Sequence, residues 1–349
     1  MALEINFLND PEPHSLGNNV YEFLDILREP TCIFLSGEDL CRTRAFVTLL
    51  HGNEPSGVKA LFRWLKSGKR PAVNTICIIA SVEAASQYPV FSHRFVEPMR
   101  DLNRCFSGPF DDQQGVLAKR IIEVLQQHQP ESIIDMHNTS GSGPSFAVGT
   151  FYDQRHEVLT SLFTQRLIIT QLKLGALMEI GESLCPTVTI ECGGRLDDDA
   201  DQIAWNGLNN YFTCRRVFAK KSVDWGLEIL TNPVRLELKK ECELCYSEGM
   251  LAGYNLTLPP TIEHFNFGVT RKNTSIGWVD NEAANDLSII FSCRNSMGES
   301  VLDELVYVDG NRVLLRQDLK LFMITNNPSI AKTDCLLYAV KSDGNELVL

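Results

Sequence analysis

The sequence predicts an α/β protein: a largely parallel sheet covered on both faces by helices, followed by a smaller β-rich domain. Three observations lead there. Short β-branched runs alternate with helical patterns from residue 30 to about residue 218. The helical patterns between them carry one-sided apolar stripes. After about residue 225 the texture changes to alternating strands and tight turns.

In chain order, "TCIFLSG" and "NTICIIAS" read as buried strands, as do "ESIIDMH" and "PTVTIECG". Between the first two, Val58, Leu61, Phe62 and Leu65 fall at i, i+3, i+4, i+7 and predict a helix. Leu117, Ile121, Val124 and Leu125 make a second stripe, closed by Pro130. Strands separated by helices imply a parallel sheet, whose ligands bind at the carboxyl ends of the strands. Farther on, "PVRLELKKECEL" alternates Val234, Leu236 and Leu238 with polar residues. "ELVYVDGNRVLL" predicts a hairpin with Asp309-Gly310 at its turn, and "DCLLYAV" a last strand. Domains are therefore expected at residues 1–225 and 226–349, which suits a chain of 349 residues.

Composition narrows the function classes. With 44% hydrophobic and 22% charged residues the chain reads as globular. A net charge of −12 argues against a general nucleic-acid binder, which needs a basic face. The segment "MALEINFLNDPEPHS" has acids and prolines where a signal peptide has basic residues and an apolar run, and no apolar stretch approaches a membrane helix. Eleven cysteines scattered through apolar segments look like buried free thiols, so a reducing cytoplasm is expected. "CELC", Cys242 to Cys245, has metal-ligand spacing but no second pair, and reads equally as two thiols in a strand.

The chemistry-bearing residues fall at strand ends. "HGNEPSG" puts His51 and Glu54 directly after the apolar "FVTLL", with Gly52 for a sharp turn and Pro55 at the start of the next helix. His137 follows another apolar strand. Two imidazoles and a carboxylate with an open fourth position form a catalytic zinc arrangement. Asp135, two residues earlier on the same face of the strand, could orient an imidazole. Each histidine alone reads equally as a satisfied polar residue. Glu191 ends the strand "VTIECGG" and could exchange a proton with water and a leaving amine, or serve as a capping or salt-bridged acid. In "SHRFVEPMRDLNRCFSG", Asn103 and Arg104 suit a substrate carboxylate, and Arg94 suits an oxyanion. A solvated basic loop is the other reading of these arginines.

Together "HGNEPSG", "DLNR", "DMHNTSG" and "TIECGG" resemble the succinylglutamate desuccinylase and aspartoacylase family, a branch of the zinc carboxypeptidase-like fold. The resemblance spans residues 51 to 194 and implies a mixed, mostly parallel sheet sandwiched by helices. It implies one zinc ion on His51, Glu54 and His137, a catalytic Glu191, and carboxylate binding by Asn103 and Arg104. It also implies carbonyl polarisation by an upstream arginine, Arg94 or alternatively Arg100, and a second domain closing over the active-site mouth. One departure stands out. Aspartoacylases carry a second substrate-binding arginine about ten residues before the glutamate, and "KLGALMEIGESLCPTVTIE" holds none.

The expected activity is zinc-dependent hydrolysis of the amide of a small, anionic N-acyl amino acid, in the cytoplasm, without nucleic acid or membrane. A carboxypeptidase acting on short peptides would use the same residues, and a non-catalytic metabolite-binding relative would keep the scaffold alone. The acyl group, the amine half and whether the chain works as a homo-oligomer are not written in the sequence.

Overall fold

A computed structural model describes residues 5–218 and 226–343. Contacts divide the chain into two units. The first comprises residues 1–138, 145–167 and 173–228; the second, residues 139–144, 168–172 and 229–349. The expected boundary after residue 225 falls at the edge of a segment outside the described residues.

Nine strands form the large sheet: β1 (Asn6–Asn9), β2 (Thr31–Leu35), β3 (Asp39–Thr48), β4 (Val73–Ile79), β5 (Ile133–Thr139), β6 (Phe146–Gly149), β7 (Arg166–Ile169), β8 (Thr187–Gly194) and β9 (Glu228–Thr231). Their order is β1-β2-β4-β3-β5-β8-β6-β7-β9. β1 runs parallel to β2, and β3 runs parallel to both β4 and β5. β2 with β4 and β6 with β8 are antiparallel, so the sheet is mixed. Every residue of β4, β5 and β8 is buried, the pattern of strands covered on both faces. Both β1 and the helix α1 (Val20–Leu27), whose first N–H groups are capped by Asn19, precede the region in which the alternation is evident.

Two helices carry the expected stripes. α2 (Ser56–Lys66) buries Val58, Leu61, Trp64 and Leu65, while Phe62 stays half-buried with its ring against Phe23. Of the others, α3 spans Val82–Ser86 and α4 spans Gln113–His128; α4 is capped by Asp112, buries Leu117, Ile121, Val124 and Leu125, and stops at Gln129 with φ 44°, one residue before Pro130. Later come α5 (Gln154–Ser161), α6 (Leu177–Gly181) and α7 (Ala200–Thr213).

Two buried basic side chains tie these layers together. Arg44 on β3 is fully buried; it donates through Nε to Glu131 at 2.7 Å and through Nη1 to the carbonyls of Tyr211 and Cys214 at 2.7 and 2.6 Å. Those carbonyls are orphaned at the C-terminus of α7, where a cation is favoured. On α5, His156 has no exposed surface and lies between Asp153 (Nδ1–Oδ1 2.8 Å) and Glu182 (Nε2–Oε2 2.9 Å). Burial alone would depress its pKa, but hydrogen bonding and attraction from Glu182 and Asp153 reverse that and raise it.

In the second unit the described residues form two five-stranded sheets around a core that includes Val234, Leu236, Phe291, Val313 and Leu321. Val234–Leu238 alternates buried and half-buried residues, as its sequence predicts. In the hairpin, Asp309 pairs with Arg312, so Gly310 and Asn311 make the two-residue turn, one position beyond the expected one. Gly310 takes φ 62°, which explains why glycine stands there. Cys242 is buried and Cys245 half-buried, with the Cys245 sulfur 3.4 Å from the Thr257 hydroxyl. Neither belongs to a metal-binding group among the described residues. Within those residues no helix is long and apolar enough to cross a membrane.

The raised pKa of His156 carries a pH signature. A raised native value means that its contribution to stability is complete below the unfolded value near 6.5 and is lost as pH rises through the native value. His156→Gln should therefore destabilise the fold most near pH 6, by about 1.5–3 kcal/mol for the charged hydrogen bonds lost. The gap from the unsubstituted protein should narrow at alkaline pH, as read by thermal unfolding across that range.

Candidate metal centre

The loop after β3 is where the site begins. Leu49 takes φ 55°, turning the chain out of the strand so that His51 and Glu54 hang beyond its carboxyl end. α2 then packs back so closely that a Cβ on Gly57 would lie 2.1 Å from the Thr48 hydroxyl; only glycine allows this return. Pro55 stands just before the first helical residue, Ser56. The Gly52 N–H donates to the carbonyl of Arg94 at 2.9 Å, tying the loop to the segment that carries the arginines.

Glu54 is the centre of the group. Its Oε1 lies 2.8 Å from Nδ1 of His51, and its Oε2 lies 2.7 Å from Nδ1 of His137. All three side chains are buried. The outer nitrogens face carboxylates as well: His51 Nε2 is 3.0 Å from Asp101 Oδ1, and His137 Nε2 is 3.0 Å from Asp135 Oδ2, close but not aligned as a hydrogen bond. Asp135 thus takes the place its spacing from His137 suggests. Asp101 does the same for His51, and nothing in the sequence singles it out, because the loop meets His51 only in the folded chain.

Electrostatics follow from this crowding. Burial would push His51 down, and Arg94 adds to that, yet Asp101 and Glu54 more than reverse both and its pKa is raised. His137 is raised well above its usual value, burial being outweighed by Asp135 and Glu54. Glu54 goes the other way: burial opposes ionisation, but His51 and His137 hold its carboxyl well below the usual range. With both imidazoles neutral, the carboxylates of Glu54, Asp101 and Asp135 would face Arg94 and, beside Asp101, Arg104. A divalent cation meets that deficit, and two imidazoles with a carboxylate are a donor set that suits one. One ligand atom from each of His51, Glu54 and His137 lies within 4.8 Å of the others.

The remaining candidates occupy distinct positions. Arg94 donates through Nε to Asp101 Oδ2 at 3.0 Å, and its Nη1 is 3.6 Å from Glu54 Oε1. Arg100 is engaged elsewhere, with Nη2 donating to Asp112 and to the Pro109 carbonyl at 2.8 Å each. Asn103 is buried, and its Oδ1 accepts from the N–H of Leu177 at 2.9 Å, at the start of α6. Arg104 donates to the Asn103 carbonyl and bears on Asp101 by charge. Glu191 is buried on β8, paired in register with Phe146, and its Oε2 has no hydrogen-bond partner. Burial pushes its carboxyl up to about 7; the pull of His137 opposes this and Glu54 adds to it.

Known proteins share features with this chain. Residues 45–203 match the model of the succinylglutamate desuccinylase/aspartoacylase catalytic domain. That stretch carries His51, Glu54, His137 and Glu191, and it is similar to the catalytic domain of that family. Similar solved structures include a succinylglutamate desuccinylase/aspartoacylase from Rhodobacter sphaeroides, 15% identical, covering 84% of this chain and 83% of that one with a TM-score of 0.55. A succinylglutamate desuccinylase from Chromobacterium violaceum is 13% identical over 81% and 88% of the two chains, with a TM-score of 0.52. Murine aminoacylase 3 is 17% identical over 87% and 96%, with a TM-score of 0.50. At these identities the likeness is one of fold. A search of curated proteins finds no match.

If the outer carboxylates orient the imidazoles, their loss should show in metal binding. Asp101→Ala should weaken divalent-metal affinity by about 10–100-fold, measured by competition with a chelator, as removal of a ligand's hydrogen-bond partner typically does. His137→Ala should abolish binding at the same metal concentrations.

Proposed function

We propose that the protein is a zinc-dependent deacylase that hydrolyses the amide bond of a small N-acyl amino acid. The observation that carries this reading is the buried imidazole–carboxylate–imidazole group of His51, Glu54 and His137, beside a carboxyl at Glu191 held near neutrality. The similarity of residues 45–203 to the desuccinylase/aspartoacylase catalytic domain supports amide hydrolysis over a purely structural metal.

In this reading His51, Glu54 and His137 hold the metal. Zinc bound there supplies a Lewis acid that polarises the substrate carbonyl and acidifies water. Glu191 takes the proton from the attacking water as its oxygen bonds to the carbonyl carbon. The C–N bond then breaks and Glu191 returns the proton to the departing amine, leaving a carboxylic acid and an amine. A carboxyl with a value near 7 suits both directions of that transfer. Arg94, beside Glu54, donates to the carbonyl oxygen as negative charge develops on it. Arg104 and Asn103 grip the substrate carboxylate and so make the attack effectively intramolecular. Zinc, rather than another divalent ion, is favoured by the nitrogen-rich ligand set.

Glu191→Gln separates chemistry from binding. Size and hydrogen bonding are kept while the base is removed, so metal content should be unchanged and kcat should fall ~10²–10⁴-fold. Near-normal turnover of the true substrate, found by screening N-acetyl, N-succinyl and N-formyl amino acids, would leave Glu191 a structural acid.

Specificity follows from the missing arginine. No arginine lies between residues 167 and 190, and the first one upstream, Arg166, has Nε 3.4 Å from Glu228. A second substrate carboxylate buried without a partner would cost several kcal/mol. N-acetylaspartate should therefore show a lower kcat/KM than an N-acyl derivative of a neutral amino acid. The reverse order would mean that a lysine or arginine from another segment fills the place.

A further inference from the structure

We propose that Asn138 is a positioning residue that pins the end of the Glu191 strand to the metal-ligand loop, and so sets where the Glu191 carboxyl stands. The inference rests on the proposed role of Glu191. It starts from a problem of support. Glu191 Oε2 has no hydrogen-bond partner, so that oxygen is placed by the strand carrying it rather than by a contact of its own. Two residues later Gly193 takes φ 105°, where the chain leaves regular extended geometry. Something must hold the strand at that point.

Asn138 supplies the hold. It follows His137 at the end of β5 and is almost wholly buried. Its Nδ2 donates to the Gly193 carbonyl at 3.1 Å and to the Ser56 hydroxyl at 2.9 Å. Its Oδ1 accepts the Ser56 N–H at 3.0 Å, one of the donors left orphaned in the first turn of α2. Its own backbone N–H points at Glu54 Oε2, 3.3 Å away. The Ser56 hydroxyl spends its proton on Asp201 Oδ1 at 2.7 Å, which leaves a lone pair for Asn138, and Lys59 closes the network on Asp201 Oδ2 at 2.7 Å.

The side chain required is narrow. One acceptor and two donors are used at once, an inventory that an amide has and a carboxylate or hydroxyl lacks. Through these bonds the loop of Glu54, the strand of His137 and the strand of Glu191 share one planar group. A shift of about 1 Å in a reacting group can cost ~10²-fold in rate, so a group that fixes this spacing matters to turnover without touching substrate.

The test uses the full chain carrying Asn138→Ala and Asn138→Asp; the second keeps volume and the acceptor for Ser56 should the first fail to fold. Amide hydrogen exchange should be faster in peptides spanning residues 191–197 and 54–57 in both variants, and unchanged exchange there overturns the proposal. In hydrolysis, kcat should fall ~10–100-fold with KM and metal stoichiometry little changed, because neither the carboxylate anchors nor the three ligands are removed. A loss expressed in KM alone or in metal content would overturn it. In a Glu191→Gln background, Asn138→Ala should cost no more than about two-fold further, since residues acting as one unit are not additive. An additive loss would mean that Asn138 acts on something other than Glu191. Full activity of Glu191→Gln alone would defeat the functional reading and the positioning role with it, whereas the exchange measurement judges the clamp independently.

Discussion

A buried carboxylate with an imidazole nitrogen at each oxygen is the constraint on which the site depends. Glu54 could not stay ionised inside the protein alone; taking a carboxylate out of water costs several kcal/mol unless charge and hydrogen bonds meet it. His51 and His137 supply both, from 2.8 and 2.7 Å. Those imidazoles are held in turn by Asp101 and Asp135 from the outside. The result is a chain of alternating charge, from Asp101 through His51, Glu54 and His137 to Asp135, in which every member needs its neighbours. Such an array could hold a divalent cation in place of the imidazole protons, since metal ligands must be deprotonated to bind.

The sheet makes this array possible. β3, β5 and β8 are consecutive in the strand order, and each ends in a residue of the site: the loop of His51 and Glu54, then His137, then Glu191. Neighbouring strands lie about 4.8 Å apart, so groups at adjacent ends arrive within reach of one another with little loop to order. The arginine segment, residues 92–108, comes from elsewhere in the chain. It is tied down by the Gly52 N–H to the Arg94 carbonyl and, at the residue just before it, by Arg195 Nη1 to the Phe91 carbonyl at 2.8 Å. Both ties come from the turns that follow site-bearing strands.

What could be read in advance follows the range of each signal. Strands such as "NTICIIAS" and the stripe of α4 are local patterns, and they fold as their own periodicity dictates. The convergence of His51, Glu54 and His137 was legible because two histidines and a glutamate at strand ends are unusual residues in a predictable place. Asp101 was not, although it lies two residues from Asn103: an aspartate in a polar loop carries no mark until the loop meets His51. Asn138 was hidden similarly, since its partners Ser56 and Gly193 lie 82 and 55 residues away. The grouping of residues 139–144 and 168–172 with the second unit has the same cause, because no local pattern reports which core a short segment joins.

Two glutamates show how far environment, rather than residue type, decides chemistry here. Glu54 and Glu191 are both buried, and burial raises the pKa of each. Glu54 has two imidazoles in hydrogen-bond contact, and their pull overwhelms the desolvation, leaving a permanent anion suited to a cation. Glu191 feels His137 only at a distance, is repelled by Glu54, and keeps an oxygen without a partner. Its proton is therefore held loosely enough to exchange near neutrality. Filling that empty partner position with a donor would stabilise the carboxylate and lower its pKa, making Glu191 a second fixed anion. The unmatched oxygen at Glu191 is thus the counterpart of the matched ones at Glu54: the same side chain is left close to its protonated form at one position and held as an anion at the other.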